Sequence, residues 1–261
     1  MLIRLLISGL ALAFFTGCSG GQARSSLLKT PLGPDLEALW NAHGGLAQWE
    51  SFAGVSLDYE GTGMGALASA GKVSCKVIID FGPPPSVDWV PGQSAVPTGP
   101  EKELPSLFLA NLFHLPFLLN NPGWKFRRAM VLRATNKPTV EFEASRPGDD
   151  HDIGPYYLSY TNPRGGLRSV HYFCRSSALG EGVYRVDYHD YKFVQGVLVA
   201  TARKHYSISG SGNSFESFEK EPFSPLQKRK SPALWIERFS NLRFLSPEDL
   251  EAAPGRKTQN P

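Results

Sequence analysis

Three groupings of residues have the types and spacing that chemistry requires. Ser217 and Lys220 stand at S-x-x-K spacing, in which a lysine can take the serine proton and leave a nucleophilic oxygen. The Ser-Asp-Asn and Lys-Thr-Gly partners of that arrangement are absent, and one such match is expected by chance in a chain rich in Ser and Lys. A G-x-S-x-G pattern occurs once, at Gly17-Cys18-Ser19-Gly20-Gly21. It directly follows an apolar leader, so the strand-to-helix turn that exposes a serine nucleophile cannot form there. Asp149, Asp150, His151 and Asp152 put three carboxylates and an imidazole into four positions, a donor set able to collect a divalent cation. Flanked by Pro147-Gly148 and Gly154-Pro155, the same run also reads as a solvated loop, and the sequence leaves the choice open. His171, His189 and His205 fall in separate strand-like stretches. There is no H-E-x-x-H, no phosphate-cradling glycine loop and no dinucleotide fingerprint. The expectation is a protein that is not an enzyme, with no catalytic residue, no resident metal and no cofactor.

Charge and composition point the same way. With 27 basic and 24 acidic side chains the formal net charge is +3, too small to serve a nucleic-acid partner. At 41% hydrophobic and 20% charged residues the chain has the material for a core, while 26 Gly and 21 Pro cut it into short elements. A chain of 261 residues can bury roughly 70% of the surface its unfolded form exposes, enough for one large β domain, expected as a monomer.

Residues 1–4 carry one positive charge, and residues 5–15 form an apolar run of signal-peptide length, too short to span a bilayer. Phe15-Thr16-Gly17-Cys18 resembles the lipobox of bacterial lipoproteins, with Phe15 where leucine is usual. The resemblance implies a signal peptide over residues 1–17, a diacylglyceryl group on Cys18, and acyl chains such as palmitate that anchor the mature protein to a membrane. Each buried methylene contributes about 0.8 kcal/mol, so two or three chains hold a soluble domain almost permanently. Ser19, in the position where aspartate retains lipoproteins at the inner membrane, implies the periplasmic face of the outer membrane. An ordinary secretory signal cut near Gly17, leaving Cys18 free, is the alternative. Residues 18–34 read as a flexible tether, residues 35–251 as the single domain and residues 252–261 as a disordered tail. With Cys18 lipidated, Cys75 and Cys174 remain. An oxidising compartment permits a disulfide between them. Each also shares a strand face with apolar residues, Cys75 with Val73, Val77 and Ile79 and Cys174 with Val170 and Tyr172, so both fit equally as small buried hydrophobes.

Residues 35–43 place Leu36, Leu39, Trp40 and His43 on one helical stripe that ends at Gly44 and Gly45, where a glycine can take the left-handed cap. His43, in the last turn, is read as a structural residue at a helix end that favours positive charge. A second helical turn carries Trp49 and Phe52. Period-two alternation then predicts strands over 55–59, 73–81, 124–134, 139–144, 156–160, 167–174, 184–191, 197–207 and 233–245, separated by turn chemistry such as Asn136-Lys137-Pro138 and Gln195-Gly196. That many antiparallel strands must curl or close to hide their edges. Residues 209–217 read as a long loop.

Residues 104–119 break the alternation. The run holds no charge, has a proline near each end, and would be apolar on nearly every face of a helix. It reads as a plug in the concave side of a curved sheet, or as a lid bordering an apolar cavity, and the two readings are compatible. Phe108, Leu109, Leu112, Phe113, Leu115, Phe117 and Leu118 are the candidate ligand-lining residues, and Pro116 a candidate hinge.

Three stretches resemble, in order, a family of exported proteins related to the lipoprotein carriers LolA and LolB. They are Ala42-His43-Gly44-Gly45-Leu46-Ala47-Gln48-Trp49, Leu115-Pro116-Phe117-Leu118-Leu119, and Asp190-Tyr191-Lys192-Phe193-Val194-Gln195-Gly196-Val197. The turn Asn162-Pro163-Arg164-Gly165-Gly166 is similar to the family's recurring turn but lacks its usual Asp and Thr. The resemblance implies a mainly β fold, a curved, antiparallel, incomplete β-barrel wrapped over a few short helices. It also implies an apolar interior that holds acyl chains, with Gly44, Gly45 and Trp49 as structural motif residues closing the barrel's end. The function expected is a membrane-anchored, non-enzymatic lipoprotein that binds a lipid or a lipidated protein. The alternative is an interaction lipoprotein of the envelope whose barrel interior is a packed core with no ligand.

Overall fold

A computed structural model describes residues 33–82, 85–90, 100–120, 125–132, 139–145, 153–161, 166–176, 180–208 and 232–254. The chain opens with two short helices, α1 (Gly33–Ala42) and α2 (Leu46–Glu50), and enters strands β1 (Gly54–Gly63), β2 (Lys72–Asp80) and β3 (Ser86–Trp89). Helices α3 (Pro100–Leu112) and α4 (Leu115–Leu118) follow. The remaining strands are β4 (Lys125–Leu132), β5 (Thr139–Ser145), β6 (Ile153–Thr161), β7 (Leu167–Ser176), β8 (Gly180–Val194), β9 (Val197–Ser207) and β10 (Ala233–Leu245), with a last helix α5 (Pro247–Glu251).

All ten strands form one antiparallel sheet in the order β3-β2-β1-β10-β9-β8-β7-β6-β5-β4. It is an open half-barrel wrapped over short helices, as the alternating pattern and the family resemblance imply. Pairing of β1 with β10 joins the first three strands to the other seven, and the link from β3 to β4 runs between the two free edges of the sheet. That link carries α3 and α4. The segment without charge is thus the one that must cross the open side of the half-barrel, where only apolar side chains can be buried without partners.

Alternation explains the inner face. Val55, Leu57 and Tyr59 of β1 and Val73, Cys75, Val77 and Ile79 of β2 all enter one core with Trp235 and Phe239 of β10 and with residues of α1 to α4. Ile78 breaks the pattern because the outer face is also covered there, by Leu245 and by Leu250 of α5. Ser246 caps α5 by accepting the Asp249 amide at 3.2 Å.

The predicted strands recur with shifted ends, and β3 is an element that four residues were too few to reveal. Other boundaries differ in instructive ways. Helix α1 begins at Gly33, so Gly33 and Pro34 belong to the domain rather than the tether. At the other end Ala252 and Ala253 still donate to Glu248 and Leu250 carbonyls, so the fold runs past residue 251. The single helix expected over 104–119 is two: Pro105 lies inside α3, and the chain breaks at Phe113 and His114. Pro116 then sits in the first turn of α4, where its missing N–H costs nothing, so it opens a helix instead of hinging one. Cys18, the tether through residue 32, the acidic run at 149–152, the 162–165 turn and the Ser217 pair lie outside the described residues.

Candidate functional site

The glycines read separately in the sequence meet in space. Gly44 adopts φ 103°, and a Cβ there would stand 2.2 Å from the Gly196 carbonyl oxygen. The α1–α2 turn therefore lies directly on the β8–β9 hairpin. His43 completes the junction: Nδ1–H donates to the Leu198 carbonyl at 2.7 Å, and Nε2 accepts the Leu167 amide at 3.0 Å. These partners fix a neutral ring with its proton on Nδ1. Burial pushes its pKa down to about 4, so the positive charge expected of a residue at a helix end is overridden by desolvation. The structural role itself stands. Tyr191 also faces inward, its hydroxyl donating to the Leu167 carbonyl, while Asp190 is exposed.

Trp49 is buried in a cluster of aromatic rings. Its indole stacks on Phe117 at 4.2 Å and on Phe81 at 4.4 Å, and Phe244 meets it edge-on at 5.6 Å. Phe117 thereby ties α4 to α2. Trp40 of α1 adds a polar tie, its indole N–H donating to the Pro116 carbonyl at 2.5 Å.

The seven candidate lining residues all lie inside the half-barrel, Phe108, Leu109, Leu112 and Leu115 with no exposed surface at all. A cavity of about 20 Å³, room for one water molecule, lies between His43, Trp49, Phe113, Phe117, Tyr188 and Tyr191. The plug is held by side chains that reach its backbone carbonyls: besides Trp40, Tyr188 donates to Leu112 at 2.9 Å, and Arg203 Nη1 lies 3.5 Å from the Phe108 oxygen.

Beneath the plug is a buried polar cluster that sequence reasoning missed. Arg203 Nε lies 2.7 Å from Glu237 Oε2, and both side chains are sealed from solvent. His205 Nε2–H donates to the same oxygen at 2.8 Å, and Tyr59 donates to Oε1 at 3.2 Å. Trp235 Nε1–H in turn donates to the Tyr59 oxygen at 2.9 Å, and the Tyr172 hydroxyl lies 3.1 Å from His205 Nδ1. Burial opposes ionisation of Glu237, but the facing Arg203 and its hydrogen bonds outweigh it and hold the carboxyl below its ordinary range. Desolvation holds His205 below its usual value. The cluster is thus a neutral ensemble of one cation, one anion and an uncharged imidazole. A signal was present: Glu237 is in phase with Trp235 and Phe239, and Arg203 and His205 are in phase with Val197 and Val199, ionisable groups on apolar faces.

Tyr172, His205 and Glu237 form a relay in outline, sealed from solvent. Burial raises the Tyr172 hydroxyl well above its ordinary pKa. Phe108 covers the imidazole at 4.0 Å between ring centroids. The other two histidines read in separate strands do not join it, since His171 and His189 lie on the opposite face from Tyr172 and Tyr188. No group of acidic, histidine and cysteine side chains among the described residues could hold a metal ion.

Cys75 and Cys174 are buried and are not bridged to each other. Of the two readings the sequence allowed, they take that of small hydrophobes, because β2 and β7 are separated in the sheet by β1, β10, β9 and β8. No helix among the described residues is long and apolar enough to cross a membrane.

These observations define an open antiparallel half-barrel plugged by the apolar connection between its own edges, over a buried ion pair. Among solved structures it is similar to a LolA superfamily protein from Nitrosomonas europaea, at 7% identity over 84% of this chain and 97% of that one, with a TM-score of 0.44. It is also similar to a domain described as an outer membrane lipoprotein-sorting protein from Vibrio parahaemolyticus, at 8% identity over 83% and 96%, with a TM-score of 0.43. No protein-family model matches the chain, and no curated protein matches it either.

Proposed function

We propose that this protein is a non-enzymatic lipoprotein of the bacterial envelope, anchored through Cys18 at the periplasmic face of the outer membrane, whose half-barrel takes up a lipid or a lipidated protein in the space that α3 and α4 fill. The observation that carries this reading is how the plug is attached. Its polar ties are few: Trp40, Tyr188 and Arg203 reach its backbone carbonyls and Trp89 donates to the Ser106 hydroxyl at 3.2 Å, while the core it enters is apolar surface that an acyl chain can replace. Magnitudes decide how much ligand is needed. Re-exposing seven large apolar side chains costs about 10–20 kcal/mol at roughly 1.5–3 kcal/mol each. One sixteen-carbon chain returns about 12 kcal/mol at about 0.8 kcal/mol per methylene, and two return about 24. A ligand with two or more chains therefore displaces the plug fully, and a single chain does so only in part.

The alternative, an interaction lipoprotein with a packed core, is favoured by one specific observation, the burial of all seven candidate lining residues in the core. Native mass spectrometry of residues 25–261, exported to a bacterial periplasm and purified without detergent, separates the two. Bound lipid of defined mass, lost in a folded variant carrying Phe113→Asp and Phe117→Asp, supports the ligand reading; a bare polypeptide mass, unchanged after incubation with diacyl lipid, supports the packed core.

A further inference from the structure

Within the ligand-binding reading, on which this inference rests, the polar wall beneath the plug specifies what part of a lipid meets it. Tyr188 and Arg203 are register partners on β8 and β9, so their side chains stand side by side on the inner face. Each reaches a carbonyl of α3, Tyr188 that of Leu112 and Arg203 that of Phe108. Arg203 is buried, and its Nη2 has no hydrogen-bond partner among the described residues. Its guanidinium also rests on the Phe239 ring at 4.8 Å. When α3 leaves, these two neighbouring side chains present unfilled donors in an apolar space, and buried donors without acceptors are costly. The incoming molecule has to supply acceptors.

Charge narrows the class. Arg203 is already neutralised by Glu237 at 2.7 Å, and Glu237 is held as an anion by His205 and Tyr59 as well. A free carboxylate or phosphate on the exposed edge of Arg203 would bring a second negative charge next to Glu237 in a dry site, whereas a neutral carbonyl reproduces what α3 provides. We infer that Tyr188 and Arg203 form a head-group subsite for neutral acyl carbonyls, so that the protein takes up esterified or amide-linked acyl chains in preference to free fatty acids.

A matched fluorescent pair tests this: cis-parinaric acid and its methyl ester, titrated at pH 8 into the full mature protein stripped of bound lipid. The ester is expected to bind at least tenfold more tightly. Glu237→Gln, which leaves Arg203 unneutralised, should reverse the order in favour of the acid. Should that variant fail to fold, Tyr188→Phe keeps the ring and removes one donor, and is expected to weaken the ester several-fold while leaving a hydrocarbon probe, 1,6-diphenylhexatriene, unchanged. Equal affinity for acid and ester in the native protein, or an ester affinity indifferent to Tyr188→Phe, overturns the subsite while leaving acyl binding intact. If no acyl probe binds at all, the ligand-binding reading itself falls, and the subsite with it.

Discussion

The junction at His43 gives the stability of this protein a specific dependence on pH. In the folded state the ring is neutral, with Nδ1–H on the Leu198 carbonyl and Nε2 accepting from Leu167, and its pKa lies near 4 instead of 6.5. In the unfolded chain the ring titrates at its ordinary value. Between these limits the unfolded state binds more protons, so stability rises with pH through this window and is lost as pH falls. The full contribution is present above about pH 6.5; it is reduced by about 2 kcal/mol at pH 5 and by about 3 kcal/mol at pH 4. His43→Gln isolates the effect, since glutamine is polar, of similar length and does not titrate. At pH 7.5 the variant should be less stable by roughly 1–3 kcal/mol, because at least one buried bond is lost. By pH 4 that gap should have closed by about 3 kcal/mol. Urea unfolding followed by tryptophan fluorescence, at half-unit steps from pH 7.5 to 4, gives both curves. Other titrating groups, including the depressed His205, occur in both proteins and cancel in the difference. A gap that stays constant across this range refutes the neutral, buried junction.

Further outcomes follow from the same geometry. Gly44→Ala must push the β8–β9 hairpin away, since its Cβ meets a backbone oxygen at 2.2 Å, and is expected to cost about 3 kcal/mol or more in the same unfolding assay. Gly71→Ala, also at positive φ but with nothing within 4 Å, should cost only about 1–2 kcal/mol, the conformational part alone. Removing one member of the buried pair, as in Glu237→Leu, should cost about 3–5 kcal/mol by uncompensating Arg203, and adding Arg203→Met should recover much of that loss. Cys75 and Cys174 should both be unreactive to a thiol reagent in the native protein and both titratable in denaturant, without reductant; burial pushes the Cys75 thiol up to about 12. A mass lower by two hydrogens would contradict that.

The sequence alone determined the elements whose physics is local. Strand identity follows from a period of two, and turns follow from Gly, Pro and Asn, so nine of the strands were legible with ends displaced by a few residues. Helix α1 was legible because Leu36, Leu39 and Trp40 share a stripe, and the seven apolar residues of 108–118 were legible as interior because nothing else could hide them. What required the tertiary structure was everything set by sheet order. Pairing of β1 with β10 makes β3 and β4 the free edges, and only this turns the apolar connection between them into a plug. The same order separates Cys75 from Cys174, brings Gly44 onto Gly196, and sets Arg203, His205 and Glu237 against one another across β9 and β10. The phase of each charged residue was visible along its own strand. Its partner was not, because the free energy of burying a charge depends on a neighbour distant in sequence, and only the fold decides which neighbour that is.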